Sequence, residues 1–218
     1  MRDLTLWEQM LKQFDSRKED LLQSLGVHIQ LVLLSMLLAV VIGIALGILI
    51  TRMKPLKGTV LGVAGILQTI PSLAMLGFMI PLFGIGMKTA IAALFLYSLL
   101  PIIRNTYAGI TDVDKSIVEA ARGMGMKSWQ ILFKVQLPLS FSVIMAGIRT
   151  AAVINVGTAT LAAFIGAGGL GEFIFLGIQR NIEALTLLGA IPAALLALLM
   201  DYLLGLLEKA TTPKGLKV

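Results

Sequence analysis

The chain of 218 residues contains no cysteine. Disulfides, thiolate metal sites and cysteine nucleophiles are excluded, and the redox compartment leaves no mark on the sequence. Histidine occurs once, as His28, which removes most hydrolase and metal chemistry as well. Only 14% of the residues are charged and 6% aromatic, whereas 57% are hydrophobic and the mean hydropathy is +0.92. A soluble domain of this size with that composition would aggregate, so the chain is an integral membrane protein. The aromatic residues Phe78, Phe83, Phe95, Tyr97, Phe141 and Phe164 are scattered and show no cluster able to cage an organic cation.

What is present is a series of apolar segments, each near or above the roughly 20 residues a helix needs to cross a bilayer. They cover 29–51, 58–82, 88–106, 140–164 and 184–206. The second is interrupted by Gln68-Thr69-Ile70-Pro71-Ser72. Splitting it at Pro71 leaves pieces too short to cross, so the sequence predicts one kinked helix whose proline packs on protein or lines a cavity. The net charge of +6 follows the bilayer rather than a nucleic acid. With the N-terminus outside, Arg52, Lys54, Lys57, Arg104, Lys115, Arg122, Lys127, Lys134, Lys209, Lys214 and Lys217 fall on the inner side. The outer loops hold only Lys88 and Arg180, and the first 28 residues carry a net charge of −1. The expectation is an all-α integral membrane protein of about five transmembrane helices, N-terminus outside and C-terminus cytoplasmic. Residues 1–28 form a retained extracytoplasmic tail, 29–206 the membrane domain, and 207–218 a cytoplasmic tail. Within the first, Trp7, Met10, Leu11 and Phe14 recur at helical spacing and can form an amphipathic helix on the outer surface.

The cytoplasmic loop 108–138 carries the strongest signal. Asp114 can cap a short helix from Lys115 to Arg122, and Gly123 or Gly125 can end it. A second amphipathic stretch starts near Ser128 and stops near Pro138, with Trp129, Leu132 and Phe133 or Val135 along one face. Ala120 and Ala121 add almost no bulk, so another protein can approach closely, while Glu119 and Arg122 offer polar handles at the rim. The order Glu119-Ala120-Ala121, three residues, Gly125, nine residues, Val135, one residue, Leu137-Pro138 resembles the signature loop of the permease subunits of binding-protein-dependent ABC importers. Val135 stands where that family more often has isoleucine.

The resemblance extends along residues 24–206. Between the fourth and fifth segments, Gly166, Gly168, Gly169 and Gly171 permit a tight turn and close backbone contact. No Lys-Ser/Thr follows and no strand precedes them, so they are not a nucleotide loop. This turn resembles the one after the fourth helix of methionine-type and betaine-type permeases. The stretches 68–74, 99–106 and 146–151 resemble permeases for compatible solutes such as glycine betaine, carnitine and choline. The resemblance implies the methionine-type importer permease fold and a coupling role for Glu119, Ala120, Ala121, Gly125, Val135, Leu137 and Pro138. It also implies a second permease subunit, identical or a close relative, two cytoplasmic ATPases that hold the ATP and Mg, and an extracytoplasmic substrate-binding protein. This chain would then be no enzyme and bind no metal or cofactor itself. A methionine or other amino-acid permease remains the alternative, because the signature loop and the glycine turn are shared.

Arg149, Asn155 and Asp201 stand out within the apolar segments. Ionisable groups within a membrane cost at least about 2.5 kcal/mol at its centre and face protein or water. Arg149 and Asp201 lie at similar depths from the inner side, which predicts an ion pair between the fourth and fifth helices; independent snorkelling to the inner headgroups is the alternative. Asn155, with Thr150, Gly157, Thr158 and Thr160, makes the fourth helix the candidate for pathway lining and for contact between paired subunits. Interhelical hydrogen bonding explains the same composition. Gly43 and Gly47, four apart, allow another helix to pack closely. An intramembrane enzyme lacks the nucleophile and base it would need, and a self-contained channel or secondary transporter would need no docking loop and shows no inverted repeat.

Overall fold

The structure is a computed structural model and describes residues 5–211. Lys214 and Lys217, assigned above to the inner side, lie outside them. Among the described residues all regular structure is helical. Helix α1 (Leu6–Arg52) opens on a reciprocal cap: Glu8 N–H donates to Thr5 Oγ1 at 3.3 Å, and Thr5 N–H donates to Glu8 Oε2 at 2.8 Å. It bends at Arg17 (φ −134°, ψ 18°) and then runs unbroken through the first apolar segment. Residues 6–28 are therefore helical and continuous with the first span, and Leu21, Ser24 and His28 are buried.

Helix α4 (Met87–Thr111) is the centre of the bundle. It packs against α1, α2 (Leu56–Thr69), α3 (Ser72–Phe83) and α7 (Leu137–Ala159). Glycines set the closest approaches. A Cβ on Gly43 would sit 2.8 Å from Ile102 Cγ2, one on Gly47 2.5 Å from Thr106 Cβ, and one on Gly147 2.6 Å from Asn105 Cβ. The rising numbers on both sides make α1 and α4 parallel, while α7 runs back against them. Helix α9 (Glu183–Thr211) then follows α7 in the opposite sense, with Gly205 against Arg149.

The second apolar segment differs from the expected kinked helix. It is two short helices bent by 106° at Ile70–Pro71. At 1.5 Å per residue they are about 21 and 18 Å long, so neither crosses alone. Proline drives its predecessor out of the helical region, and Ile70 is extended (φ −64°, ψ 130°). The Tyr97 hydroxyl donates to the Ile70 carbonyl that the break sets free. A satisfied carbonyl stabilises a break where a bare kink would leave it exposed to hydrocarbon. With this broken segment, α1, α4, α7 and α9 account for the expected five apolar elements.

Two poles result. One carries the end of α1, the end of α4, α5 (Lys115–Gly123) and α6 (Ser128–Ile131), and is called the coupling pole. The other carries the start of α1, a 3-10 turn (Thr160–Ile165), the glycine turn and α8 (Gly171–Arg180), and is called the glycine pole. Large apolar side chains, among them Leu37, Val41, Ile66, Leu82, Leu198 and Leu203, stay exposed on the flanks between the poles. A contiguous apolar flank of this kind is suited to lipid or to a partner helix.

Candidate functional site

At the coupling pole, the backbone N–H of Ser116 donates to Asp114 Oδ1 at 2.8 Å and caps α5. This bond, supported by the Ser116 hydroxyl, holds the Asp114 carboxyl below the usual carboxylate range. Gly125 (φ +80°) supplies the left-handed residue that turns the chain, and Gln130 Oε1 accepts from the Lys127 N–H at 2.8 Å to start α6. The second stretch does not stop at Pro138 as expected. A π-turn (Leu132–Gln136) joins α6 to α7, with the Leu137 N–H donating to the Leu132 carbonyl. Pro138 falls in the first turn of α7, directly after the π-turn, so the widened turn sits where the proline ring and its missing N–H would otherwise disrupt a regular helix. Val135, Leu137 and Pro138 thus form the joint between loop and membrane helix.

The segment is tied to the bundle. Arg52 Nη2 donates to the Ser128 carbonyl at 3.0 Å, and Gln136 Nε2 to the Ile110 carbonyl at 3.3 Å. Its outer face presents Glu119, Ala120 and Arg122, with Met124 75%, Trp129 58% and Phe133 59% exposed. The expectation that both alanines face a partner needs correcting for one of them. Ala120 is exposed, but Ala121 is buried in the loop's own packing, because consecutive residues point about 100° apart around a helix.

Within the bundle, the structure brings Arg149 and Asp201 together. Arg149 Nε and Nη2 donate to Asp201 Oδ1 and Oδ2 at 2.9 and 3.0 Å, a two-pronged pair. Nη1 reaches Glu208 Oε2 at 3.0 Å, a third member that the sequence reading missed. Asp201, Gly205 and Glu208 follow one face of α9 at helical spacing, and that period was the available signal. Asn155 is fully buried between three helices. Its Nδ2 donates to Ser98 Oγ at 2.7 Å and Ser35 Oγ at 3.0 Å, and the Ser35 hydroxyl also lies 3.1 Å from Asn155 Oδ1. Ser35 and Ser98 are ordinary in sequence; only the packing of α1 and α4 on α7 makes them partners. The exposed face of α7 instead presents Ala146, Thr150, Val153 and Gly157, a stripe of small residues.

At the glycine pole, Gly166, Gly168 and Gly169 have φ of +67°, +81° and +93°. A Cβ on Gly171 would lie 1.8 Å from the Thr160 carbonyl oxygen, so the turn requires glycine there. His28 is completely buried beside it and donates Nε2–H to the Val156 carbonyl at 3.1 Å. Helix α8 was not foreseen, although Leu170, Phe173, Leu176 and Gly177 at helical spacing, and Asn181 in the left-handed conformation, mark its inner face and its end. The turn folds α8 back so that Phe175 meets Phe164, with ring centroids 3.8 Å apart. The aromatic residues are therefore not all scattered. Pro71 stands at the sharp break between α2 and α3.

The site is thus an exposed helical loop, tethered to a bundle of spanning helices and continuous with one of them. The chain belongs to the family of binding-protein-dependent transport system inner membrane components, whose model matches residues 29–213. It is a multi-pass protein of the inner, cytoplasmic membrane. It is 44% identical over 209 residues to the glycine betaine/carnitine/choline transport system permease protein OpuCB of Bacillus subtilis, covering 96% of each chain. It is 48% identical over 193 residues to the permease protein OpuCD of the same system and organism, covering 88% of this chain and 84% of the relative. The fold matches that of the MetNI methionine ABC transporter in its inward-facing form, with a TM-score of 0.79, 24% identity, and coverage of 88% of this chain and 96% of that one.

Proposed function

We propose that this chain is the permease half of an ATP-driven importer of trimethylammonium compatible solutes: glycine betaine, carnitine or choline. The observation that carries the reading is 44% and 48% identity to two permeases named for that one system. Likeness to both also supports a paired permease, either a second copy or a close relative, meeting across the small-residue face of α7. The coupling pole lies in the cytoplasm and the glycine pole outside, as the basic residues around Arg52, Lys57 and Lys134 favour. A separate ATPase pair, carrying ATP and Mg, docks on Glu119, Ala120, Arg122 and the exposed Trp129 and Phe133. An extracytoplasmic binding protein delivers the solute to the glycine pole.

The mechanism is alternating access. ATP binding draws the two coupling loops together. Because α6, the π-turn and α7 are one continuous rod, that displacement moves α7 directly, and with it Arg149 and the glycine turn. The Arg149 pair takes α9 along, the inner ends close and the outer ends open. Hydrolysis reverses the motion. The test is uptake of radiolabelled glycine betaine, carnitine, choline and methionine into proteoliposomes carrying the subunit with its co-purified ATPase and binding protein. ATP-dependent uptake of a trimethylammonium solute is expected; uptake of methionine alone would leave the importer mechanism and overturn the substrate.

A further inference from the structure

Two cavities meet at the glycine pole on either side of one carboxylate. The first, about 370 Å³, is walled by Phe164, Phe175, Glu172 and Gln179. The second, about 360 Å³, has Arg17, Asp20 and the backbone of the glycine turn around it. Glu172 and Leu176 belong to both walls. Both volumes fall in the range of about 300–1,000 Å³ usual for small-molecule sites. Among the described residues, Arg17, Asp20 and Glu172 make no ion pair. Charges of both signs thus border one hollow without neutralising each other. Next to them are two phenylalanine rings in contact, of which Phe164 is 53% exposed. Phe164 lies in the 3-10 turn that follows α7.

A quaternary ammonium has no N–H to donate. It is held by carboxylate charge and by the negative faces of aromatic rings. A carboxylate is matched by a guanidinium. Resting on the substrate reading above, we propose that this hollow is a solute-receiving site at the mouth of the path. Glu172 and the Phe164–Phe175 pair take the trimethylammonium head, and Arg17 takes the carboxylate of those solutes that have one. Its openness to solvent suits brief, weak binding between release from the binding protein and entry. Glycine betaine and carnitine engage both halves; choline, which carries a hydroxyl in place of the carboxylate, engages only the aromatic half.

The experiment is competition-free uptake of betaine and of choline by the complete transporter in proteoliposomes, for the wild type and for Arg17→Gln, Glu172→Gln and Phe164→Leu. Arg17→Gln is expected to lower betaine uptake roughly fivefold or more and to leave choline within about twofold, the loss of one charge-assisted contact. Glu172→Gln and Phe164→Leu lower both. A second readout avoids dependence on turnover: saturation-transfer NMR of the betaine methyl protons on the permease–ATPase complex without binding protein, where Glu172→Gln loses the wild-type signal and Glu183→Gln, which lines neither cavity, keeps it. Equal effects of Arg17→Gln on both solutes, or none on either, overturn the site while leaving the substrate reading intact. A uniform loss with weaker capture of the binding protein also overturns it, since the face is then a docking surface. A wild-type complex that carries no trimethylammonium solute overturns the substrate reading and the site with it.

Discussion

Arg149 serves two carboxylates, and the balance is asymmetric. Asp201→Asn leaves the guanidinium with Glu208, whereas Arg149→Ala takes both prongs of the pair from Asp201 and the Arg149 contact from Glu208. Arg149→Ala is therefore expected to lower the melting temperature of the purified permease more than Asp201→Asn, and the charge swap Arg149→Asp with Asp201→Arg to recover part of the transport lost by either single variant. No recovery would mean the two groups act separately. Glycines sort in the same way. Gly171→Ala forces a Cβ onto a carbonyl that cannot move, at a cost of about 1–3 kcal/mol or more, while Gly62→Ala on α2 meets nothing within 4 Å and is expected to be neutral or slightly stabilising. Thermal melts of the two variants compare them directly. Asp114 sets a pH window. Its folded value is depressed, so the cap is fully formed above the unfolded value of about 3.9 and is lost only as pH falls through the lower folded value. Hydrogen exchange of the Ile117 and Val118 amides, corrected for intrinsic rate, is expected to stay constant from about pH 5 to 8, and to be faster throughout in Asp114→Ala.

The coupling loop behaves as an element with an inside and an outside. A bulky acid at Ala120 is expected to weaken co-purification of the ATPase while leaving the loop folded. The same residue at Ala121 is expected to unfold the loop, because that position is 2% exposed. Limited proteolysis between α5 and α6 separates the two outcomes: cleavage of Ala120→Glu as fast as Ala121→Glu would refute the division. Gly125→Pro tests the turn. Proline is fixed near φ −65° and cannot adopt +80°, so uptake is expected to be abolished with membrane insertion intact. The broken α2–α3 element shows the limit of reading by period: its composition is that of one span, and only Tyr97, arriving from α4, satisfies the carbonyl that lets the chain fold sharply.

For the whole molecule, the absence of cysteine makes the proposed pairing face of α7 directly accessible to experiment. Thr150→Cys or Gly157→Cys, on the exposed face of α7, is expected to form a cross-linked permease pair on mild oxidation, whereas Leu198→Cys, on the apolar flank of α9, is not. The reverse pattern would move the pairing surface to α9. The parallel course of α1 and α4, with α7 returning against both, places the loop and the glycine turn at the two ends of one rod. In the proposed mechanism, motion at the coupling pole then needs no relay through loops to reach the other.

Composition and period alone determined that this chain crosses a membrane, where its apolar segments lie, and that a helix capped by Asp114 and ended near Gly125 stands between two of them. Each of these follows from local physics: hydropathy over about 20 residues, an aspartate before a helix, a glycine after it. The Arg149–Asp201 contact was legible because both sit at similar depth in a uniform slab. Tertiary structure alone decided that Ala121 turns inward, that Asn155 is occupied by Ser35 and Ser98, that Glu208 joins Arg149, and that Phe175 meets Phe164 in a hollow that Glu172 also lines. Those outcomes depend on which helix faces arrive at one point, and residues 11 to 120 positions apart carry no local trace of a neighbour supplied by packing.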